Sequence, residues 1–163
     1  MERGTFYPAI VREGMQGLRW LQMSAEEMNE FLGRGGTGVI SFATEPDEPP
    51  VSIPVSYGYS AEVGRFYYRL SFPRDSRKDE LVDRHVSFVT HGETGDGWRS
   101  VVATGQLSDV SDAQYESAEI QGMWSIEIPL VEIFERPPRE TTFRYFSLEP
   151  ATMTGRKETR TDS

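Results

Sequence analysis

The sequence contains no cysteine, only two histidines and, among its 17 basic residues, only two lysines. The absence of cysteine excludes disulfides, thiol nucleophiles and metal sites built from thiolates. The two histidines, His85 and His91, lie six residues apart and so lack the i, i+4 spacing of zinc ligands on a helix. We interpret both as solvated or hydrogen-bonded side chains, and we predict no metal site.

The chain also lacks a long apolar run and a basic surface. No stretch approaches the roughly 20 apolar residues that cross a bilayer as a helix, and residues 1–22 do not follow the signal-peptide pattern. We therefore expect a cytoplasmic protein with no membrane partner. The net charge of −9 makes this an acidic protein, which argues against nucleic-acid binding because that binding draws its affinity from basic surfaces.

A length of 163 residues suits one domain with one core. We predict an N-terminal extension at residues 1–22, whose structure the pattern does not assign, and a folded domain at residues 23–150. Residues 151–163 are polar, and we expect them to fray.

Short strands separated by turn residues dominate the rest of the chain. Residues 24–32 (SAEEMNEFL) predict a helix that Ser24 caps, with Glu27 as the capping-box partner. Further helices are predicted at residues 77–84 and 111–124. Strands are predicted at residues 38–44, 51–59, 65–72, 86–91, 98–110 and 142–150. This order indicates a mainly β (α+β) fold, an antiparallel barrel with flanking helices.

Residues 33–38 (GRGGTG) match the letters of the dinucleotide-binding motif G-x-G-x-x-G. That motif must follow a strand and open a helix, whereas here a helix precedes the glycines and a strand follows them. We interpret the segment as a flexible turn between helix and strand.

A strand-to-helix junction places two cations where a helix disfavours them. Ser76 predicts an N-cap, so Arg77 and Lys78 occupy the first helical positions, next to the positive end of the macrodipole. Asp79 and Glu80 are one source of compensation. The other is a bound anion, because free N–H groups, a hydroxyl and two cations form a phosphate cradle.

Catalytic motifs are missing from the sequence. It contains no G-x-S-x-G, no P-loop and no serine or threonine with an evident histidine partner, and we name no catalytic residue. Any redox chemistry therefore requires a bound cofactor.

Several segments, in order, resemble the pyridoxamine 5'-phosphate oxidase-like family of FMN-binding split barrels. The resemblance covers roughly residues 23–155. Its blocks are the helix at 24–32, the strands at 38–44 and 51–59, the aromatic FYY at 66–68, the Ser-Arg-Lys at 76–78 and RSVVATG at 99–105.

The resemblance implies a split β-barrel, a six-stranded antiparallel Greek-key barrel, that forms a homodimer with FMN at the subunit interface. It implies that Ser76, Arg77 and Lys78 hold the FMN phosphate. Tyr68 and Arg69 would flank the chain of FMN that carries its phosphate. The residues near the isoalloxazine ring of FMN would be Pro54, Val55, Ser56 and Ser100. Each also has a structural alternative: Pro54 as a strand edge, Tyr68 as core and Ser100 as an ordinary strand residue.

The chain departs from the true oxidases at three places. Ser52 and Tyr57 stand where the oxidases carry an Arg and a Lys that contact FMN, and no histidine follows residue 91 to complete their Arg-x-His substrate motif. We therefore expect an FMN-dependent oxidoreductase with a small-molecule substrate other than pyridoxamine phosphate. The alternatives are a flavin-binding module for storage or sensing without turnover, and a split barrel that uses deazaflavin or haem.

Overall fold

A computed structural model describes residues 18–73, 83–110 and 141–160 of the chain. In chain order the elements are β1 (Leu18–Gln22), α1 (Ala25–Leu32), β2 (Gly35–Phe42), β3 (Val51–Ser60), β4 (Arg65–Pro73), β5 (His85–Thr94), β6 (Gly97–Asp109), β7 (Thr141–Leu148) and β8 (Thr152–Arg160). In this part of the chain, no helix has both the length and the apolar character needed to cross a membrane.

Six of the eight strands in the described residues close into a barrel. Around the ring the order is β6, β5, β2, β3, β4, β7, and β7 pairs again with β6. Every pairing in the ring is antiparallel. After the consecutive strands β2, β3 and β4, the chain crosses to the far side of β2, where β5 lies, which gives a Greek-key order. The predicted six-stranded antiparallel Greek-key barrel is confirmed.

The barrel splits where β6 changes its neighbour. Residues Arg99 to Thr104 of β6 pair with β8, whereas residues from Leu107 onward pair with β7. Gly105 lies between these two stretches, and a Cβ there would meet Leu148 Cδ1 at 2.9 Å. Glycine therefore allows the connection from β7 to β8 to pass close to β6, and β8 and β1 extend the sheet beyond the ring.

The barrel interior is apolar because alternate residues of each strand point inward. Four rings from three strands, those of Tyr57, Phe66, Tyr68 and Phe88, pack with most centroid pairs 5.1–5.9 Å apart and edge to face. The whole cluster comprises Met23, Met28, Leu32, Ile40, Phe42, Val55, Tyr57, Tyr59, Phe66, Tyr68, Leu70, Val86, Phe88, Val101, Ala103, Phe146 and Leu148.

Helix α1 packs on this core through Met28 and Leu32. Ser24 caps it, and the predicted capping box is confirmed: the Glu27 amide donates to Ser24 Oγ and the Ser24 amide donates to Glu27 Oε1, both at 3.1 Å. Glu27 also forms an ion pair with Lys157 of β8. The helix is thus held at both its N-terminal cap and its buried face.

The glycine-rich segment at residues 33–38, predicted to be a turn over its whole length, is a turn only at its start. The turn comprises Gly33 and Arg34, and β2 begins at Gly35. A Cβ at Gly38 would lie 2.5 Å from the carbonyl oxygen of Val89, so the glycine allows β2 to approach β5 closely. Close packing of strands therefore explains Gly38, whereas Gly33 ends the helix at a positive φ of 58°. The helix-then-strand context excludes the dinucleotide motif.

The two ends of the described chain also differ from expectation. Residues from 151 onward are predicted to fray, yet Thr152–Arg160 form β8, which bonds to β1 on one edge and β6 on the other. Residues Leu18–Gln22, left unassigned above, form β1. The helix predicted at residues 111–124 lies outside the described residues, as does nearly all of the one at 77–84.

Candidate functional site

One wall of the barrel presents small and polar side chains to the outside. Strands β3, β2, β5, β6 and β8 form this wall, and we call its side away from the core the outer face. Along β5, for example, Val86, Phe88 and Thr90 are buried, whereas the residues between them are partly exposed. Because neighbouring strands are in register, the outer side chains form rows across the wall.

The central row is apolar. Pro54, Val39, Val89 and Val102 follow one another across four strands, and we call them the apolar row. Val39, in the middle, is 40% exposed, which is high for a valine in the centre of a sheet.

A row of hydroxyls borders the apolar row on one side. It consists of Ser52, Ser41, Ser87, Thr104 and Thr152. The Ser41 and Ser52 hydroxyls are 2.7 Å apart, and those of Thr104 and Thr152 also form a hydrogen bond.

A second polar row, called here the histidine row, borders the other side. It consists of Arg69, Ser56, Thr37, His91, Ser100 and Arg156, where Thr37 and His91 lie two residues past the last β2–β5 pair, Val39 with Val89. His91 lies directly opposite Ser100, and Ser100 lies opposite Arg156. Arg69 is one residue past the last β3–β4 pair, Tyr57 with Tyr68, and so lies next to Ser56. The Thr90 hydroxyl donates to the Thr37 carbonyl at 2.8 Å, which joins β2 and β5 here.

Beyond the histidine row lie two exposed tryptophans. Trp98 of β6 and Trp20 of β1 are 44% and 52% exposed, and Glu158 of β8 lies between them in register. The Trp98 ring is 6.2 Å from the His91 ring. Aromatic side chains therefore stand at the edge of the outer face nearest His91.

Four of the nine predicted site residues come together on the outer face. Pro54 lies in the apolar row, and Ser56, Arg69 and Ser100 lie in the histidine row. The sequence does not show this proximity, because it depends on the register of β2 and β5, which separate Ser56 from Ser100.

Two of the predicted site residues point into the barrel, away from the outer face. Val55 and Tyr68 are 6% and 0% exposed and belong to the barrel core. The Tyr68 side chain therefore lies in the core, as its structural alternative proposed, with its ring packed near those of Phe66 and Phe88. The remaining three, Ser76, Arg77 and Lys78, lie outside the described residues, so the phosphate cradle stays a prediction.

The buried tyrosines remain protonated because burial disfavours their charged form. Burial raises the pKa of Tyr68 well above its ordinary value, and the neighbouring Tyr57 adds to the shift. Burial also raises the pKa of Tyr57, although a hydrogen bond with Thr90 opposes it. The Tyr57 hydroxyl donates to the Leu32 carbonyl at 3.1 Å, so this residue serves the core rather than the outer face.

The outer face suits a flat ring with an apolar surface and polar edges. The apolar row can lie under the ring, and the rows on either side supply hydroxyls, an imidazole and guanidinium groups for its edges. Among the described residues, no group of three or more His, Asp or Glu side chains is placed to hold a metal ion.

Sequence reasoning missed His91, Thr37 and Arg156 as members of this face. His91 was interpreted as an ordinary solvated side chain, and it is indeed exposed. Alternation along β5 places it on the same side as Val89, but only the β5–β6 register places it beside Ser100.

Comparisons with known proteins agree with this architecture. No curated protein matches the chain in sequence. An FAD-binding protein from Mesorhizobium loti has a TM-score of 0.59 at 17% identity, covering 88% of this chain and 100% of that one. The FAD binding protein from Mycobacterium smegmatis has a TM-score of 0.59 at 17% identity, covering 86% and 98% of the two chains.

A third solved structure, the FAD and heme binding protein from Mycobacterium smegmatis, has a TM-score of 0.52 at 12% identity and covers 87% of this chain and 76% of that one. At these identities the structures show a shared fold. A family model described as pyridoxamine 5'-phosphate oxidase matches residues 24–157. The chain therefore belongs to the pyridoxamine 5'-phosphate oxidase-like family of split-barrel proteins.

Proposed function

We propose that this chain is an FMN-binding flavoprotein that acts as an oxidoreductase on a small molecule other than pyridoxamine phosphate. The outer face carries this proposal, because its apolar row between two polar rows matches the surface and edges of an isoalloxazine ring. A bound flavin would supply hydride or electron transfer, and the protein would supply binding, orientation and electrostatics.

The residues that would border the ring are Pro54 beneath it and Ser56 and Ser100 at its polar edge. Ser76, Arg77 and Lys78 would hold the phosphate. These three follow β4, which ends at Pro73 and carries Arg69 on the outer face. A cation already present on that strand supports an anionic cofactor chain running from the ring toward residues 76–78.

A homodimer is part of the proposal. An exposed apolar row, with two exposed tryptophans beyond the histidine row on the same face, is typical of surfaces that a partner covers. Two outer faces packed on each other would bury Val39 and cover the two flavins. The occupant we infer is therefore a second copy of this chain.

FAD is the second candidate for the cofactor, since two solved structures with this fold are described as FAD-binding. FAD contains the ring and the ring-proximal phosphate of FMN, so the same residues would contact either molecule. Haem is the third candidate, since one solved structure with this fold is described as FAD and heme binding.

Pyridoxamine phosphate is an unsuitable substrate for this chain. Of the two positions where the oxidases contact FMN with cations, Ser52 bonds to Ser41 and Tyr57 points into the core. No residue after position 91 is a histidine, so the oxidases' substrate motif is also missing.

The decisive experiment is purification followed by absorption spectroscopy and mass analysis of the ligand released on denaturation. We expect a yellow protein that releases FMN. A colourless protein that takes up neither FMN nor FAD would overturn the proposal, and released FAD would correct the cofactor. Anaerobic reduction by NADH or NADPH, with reoxidation by an added acceptor, distinguishes an oxidoreductase from a storage or sensing module.

Replacement of Arg77 and Lys78 together by alanine tests the phosphate cradle. Each lost charged hydrogen bond costs about 1.5 to 3 kcal/mol, so FMN should bind at least a hundredfold more weakly. The matched control replaces Arg34 and Arg65, which lie at the Ser60 end of β3, away from the end of β4 that leads to residue 76. Equal FMN affinity in both double variants would show that the cradle is elsewhere.

A further inference from the structure

His91 occupies a particular position on the outer face. It is exposed, it lies opposite Ser100, and the β2–β5 pairing continued by two residues places Thr37 on its other side. It thus sits in the middle of the histidine row, between Ser56 and Ser100, the two polar residues assigned to the ring edge.

The neighbours of His91 on the outer face include charged, polar and aromatic side chains. On its own strand Glu93 lies two residues away on the same face, with Val89 on the other side. On β6 it faces Ser100 and the Trp98 ring, and beyond them β8 presents Arg156 and Glu158. On the other side the row continues to Thr37 of β2, then to Ser56 of β3 and Arg69 of β4.

Within the histidine row, only an imidazole can gain or lose a proton near neutral pH. Serine and threonine hydroxyls do not titrate there, and guanidinium groups stay protonated. When a flavin ring gains two electrons and one proton, its net charge becomes more negative by one unit. A negative charge close to an imidazole favours its protonated form.

Resting on the proposed function, we propose that His91 takes up a proton when a flavin bound on the outer face is reduced. Two electrons and one proton enter the ring, and a second proton binds the imidazole nitrogen, so that the added negative charge on the ring faces an imidazolium. The overall uptake is two electrons and two protons, and the assembly of ring and His91 keeps its net charge.

The pH dependence of the midpoint potential tests this proton count. A two-electron couple that takes up one proton shifts by about 30 mV per pH unit, and one that takes up two shifts by about 60 mV. In a spectroelectrochemical titration from pH 7 to 8, with the electrode as electron source, we expect the flavin-loaded wild type to approach the larger slope. His91→Gln should show the smaller one.

The chain offers a matched control. His85 lies on the same strand and the same face, six residues from His91, and pairs with Gln106, which separates the two histidines by roughly 20 Å. His85→Gln should keep the wild-type slope. His91→Lys, which carries a fixed charge, should raise the potential relative to His91→Gln yet keep the one-proton slope.

The outcomes separate the two proposals. If the wild type binds no flavin, the proposed function fails and this inference fails with it. If the wild type binds flavin but shares one slope with His91→Gln, the proposed function stands and His91 is not the proton acceptor. Flavin bound by all three variants with a changed slope only at position 91 establishes the role.

Discussion

The Tyr57 hydroxyl donates a 3.1 Å hydrogen bond to the carbonyl of Leu32, 25 residues earlier in the chain. Leu32 ends helix α1, where carbonyl groups lack partners within the helix. Tyr57 is 3% exposed, and its ring packs against Phe88. One side chain thus joins the barrel interior to the end of the helix that covers it.

Replacement of Tyr57 by phenylalanine should destabilise the fold while keeping the ring packing. The lost hydrogen bond leaves a buried carbonyl unsatisfied, so the free energy of unfolding should fall by about 1 to 2 kcal/mol. Urea unfolding followed by circular dichroism measures the change. Tyr145→Phe, at a tyrosine that is 40% exposed, is the control and should stay within about 0.5 kcal/mol of wild type.

Replacement of Tyr68 by phenylalanine, in contrast to that of Tyr57, should not destabilise the fold. Its hydroxyl is buried and has no hydrogen-bond partner among residues 18–73, 83–110 and 141–160, so Tyr68→Phe removes a polar group that is costly to bury without one. We expect unchanged stability or a gain of up to about 1 kcal/mol, with unchanged FMN affinity because the side chain points into the core. Weaker FMN binding measured by fluorescence titration, at normal stability, would restore Tyr68 to the cofactor site.

The orientation of Tyr68 was available from the sequence. Alternation along residues 65–72 places Tyr68 on the same side as Phe66 and Leu70, and that side is the core. The family resemblance nevertheless suggested a cofactor contact for it. Alternation within the strand thus gives the direction of this side chain, and the cofactor contact stays a prediction.

Other features could not be predicted because they depend on contacts between distant segments. Strand β8 has little apolar alternation; it is held by hydrogen bonds on both edges and by Gly155, where a Cβ would meet Met28 Cγ at 2.7 Å. The histidine row likewise exists only through the registers of several strands. Local patterns, in contrast, sufficed for the six ring strands and for the capping box at Ser24.

The interaction between Glu27 and Lys157 makes the stability pH-dependent. The hydrogen bond from Lys157, followed by that from the Ser24 amide, holds the pKa of Glu27 below its ordinary value. A carboxyl group with a lowered pKa in the folded state stabilises the fold above its unfolded pKa, about 4.3. This contribution is lost as the pH falls through the folded-state value.

Thermal melts from pH 7 down to pH 3 measure this effect. Glu27→Gln should melt below wild type at pH 7, and the difference should shrink once the pH falls below about 4.3. Glu26→Gln, at an exposed neighbour in the same helical turn, is the control for the helix dipole. A constant difference between Glu27→Gln and wild type across this range would show that the carboxylate charge is not what stabilises the helix.

Val39 tests the proposed dimer. It is the most central residue of the apolar row and 40% exposed, so Val39→Glu would place a carboxylate in the middle of two apposed, acidic subunits. Burying or apposing like charges costs several kcal/mol, and the dimer dissociation constant should rise at least about a hundredfold. Sedimentation velocity measures this shift. Val51→Glu is the control, because Val51 is 37% exposed but lies at the end of β3, outside the row. A Val39→Glu protein that remains as dimeric as Val51→Glu would place the subunit interface on another surface.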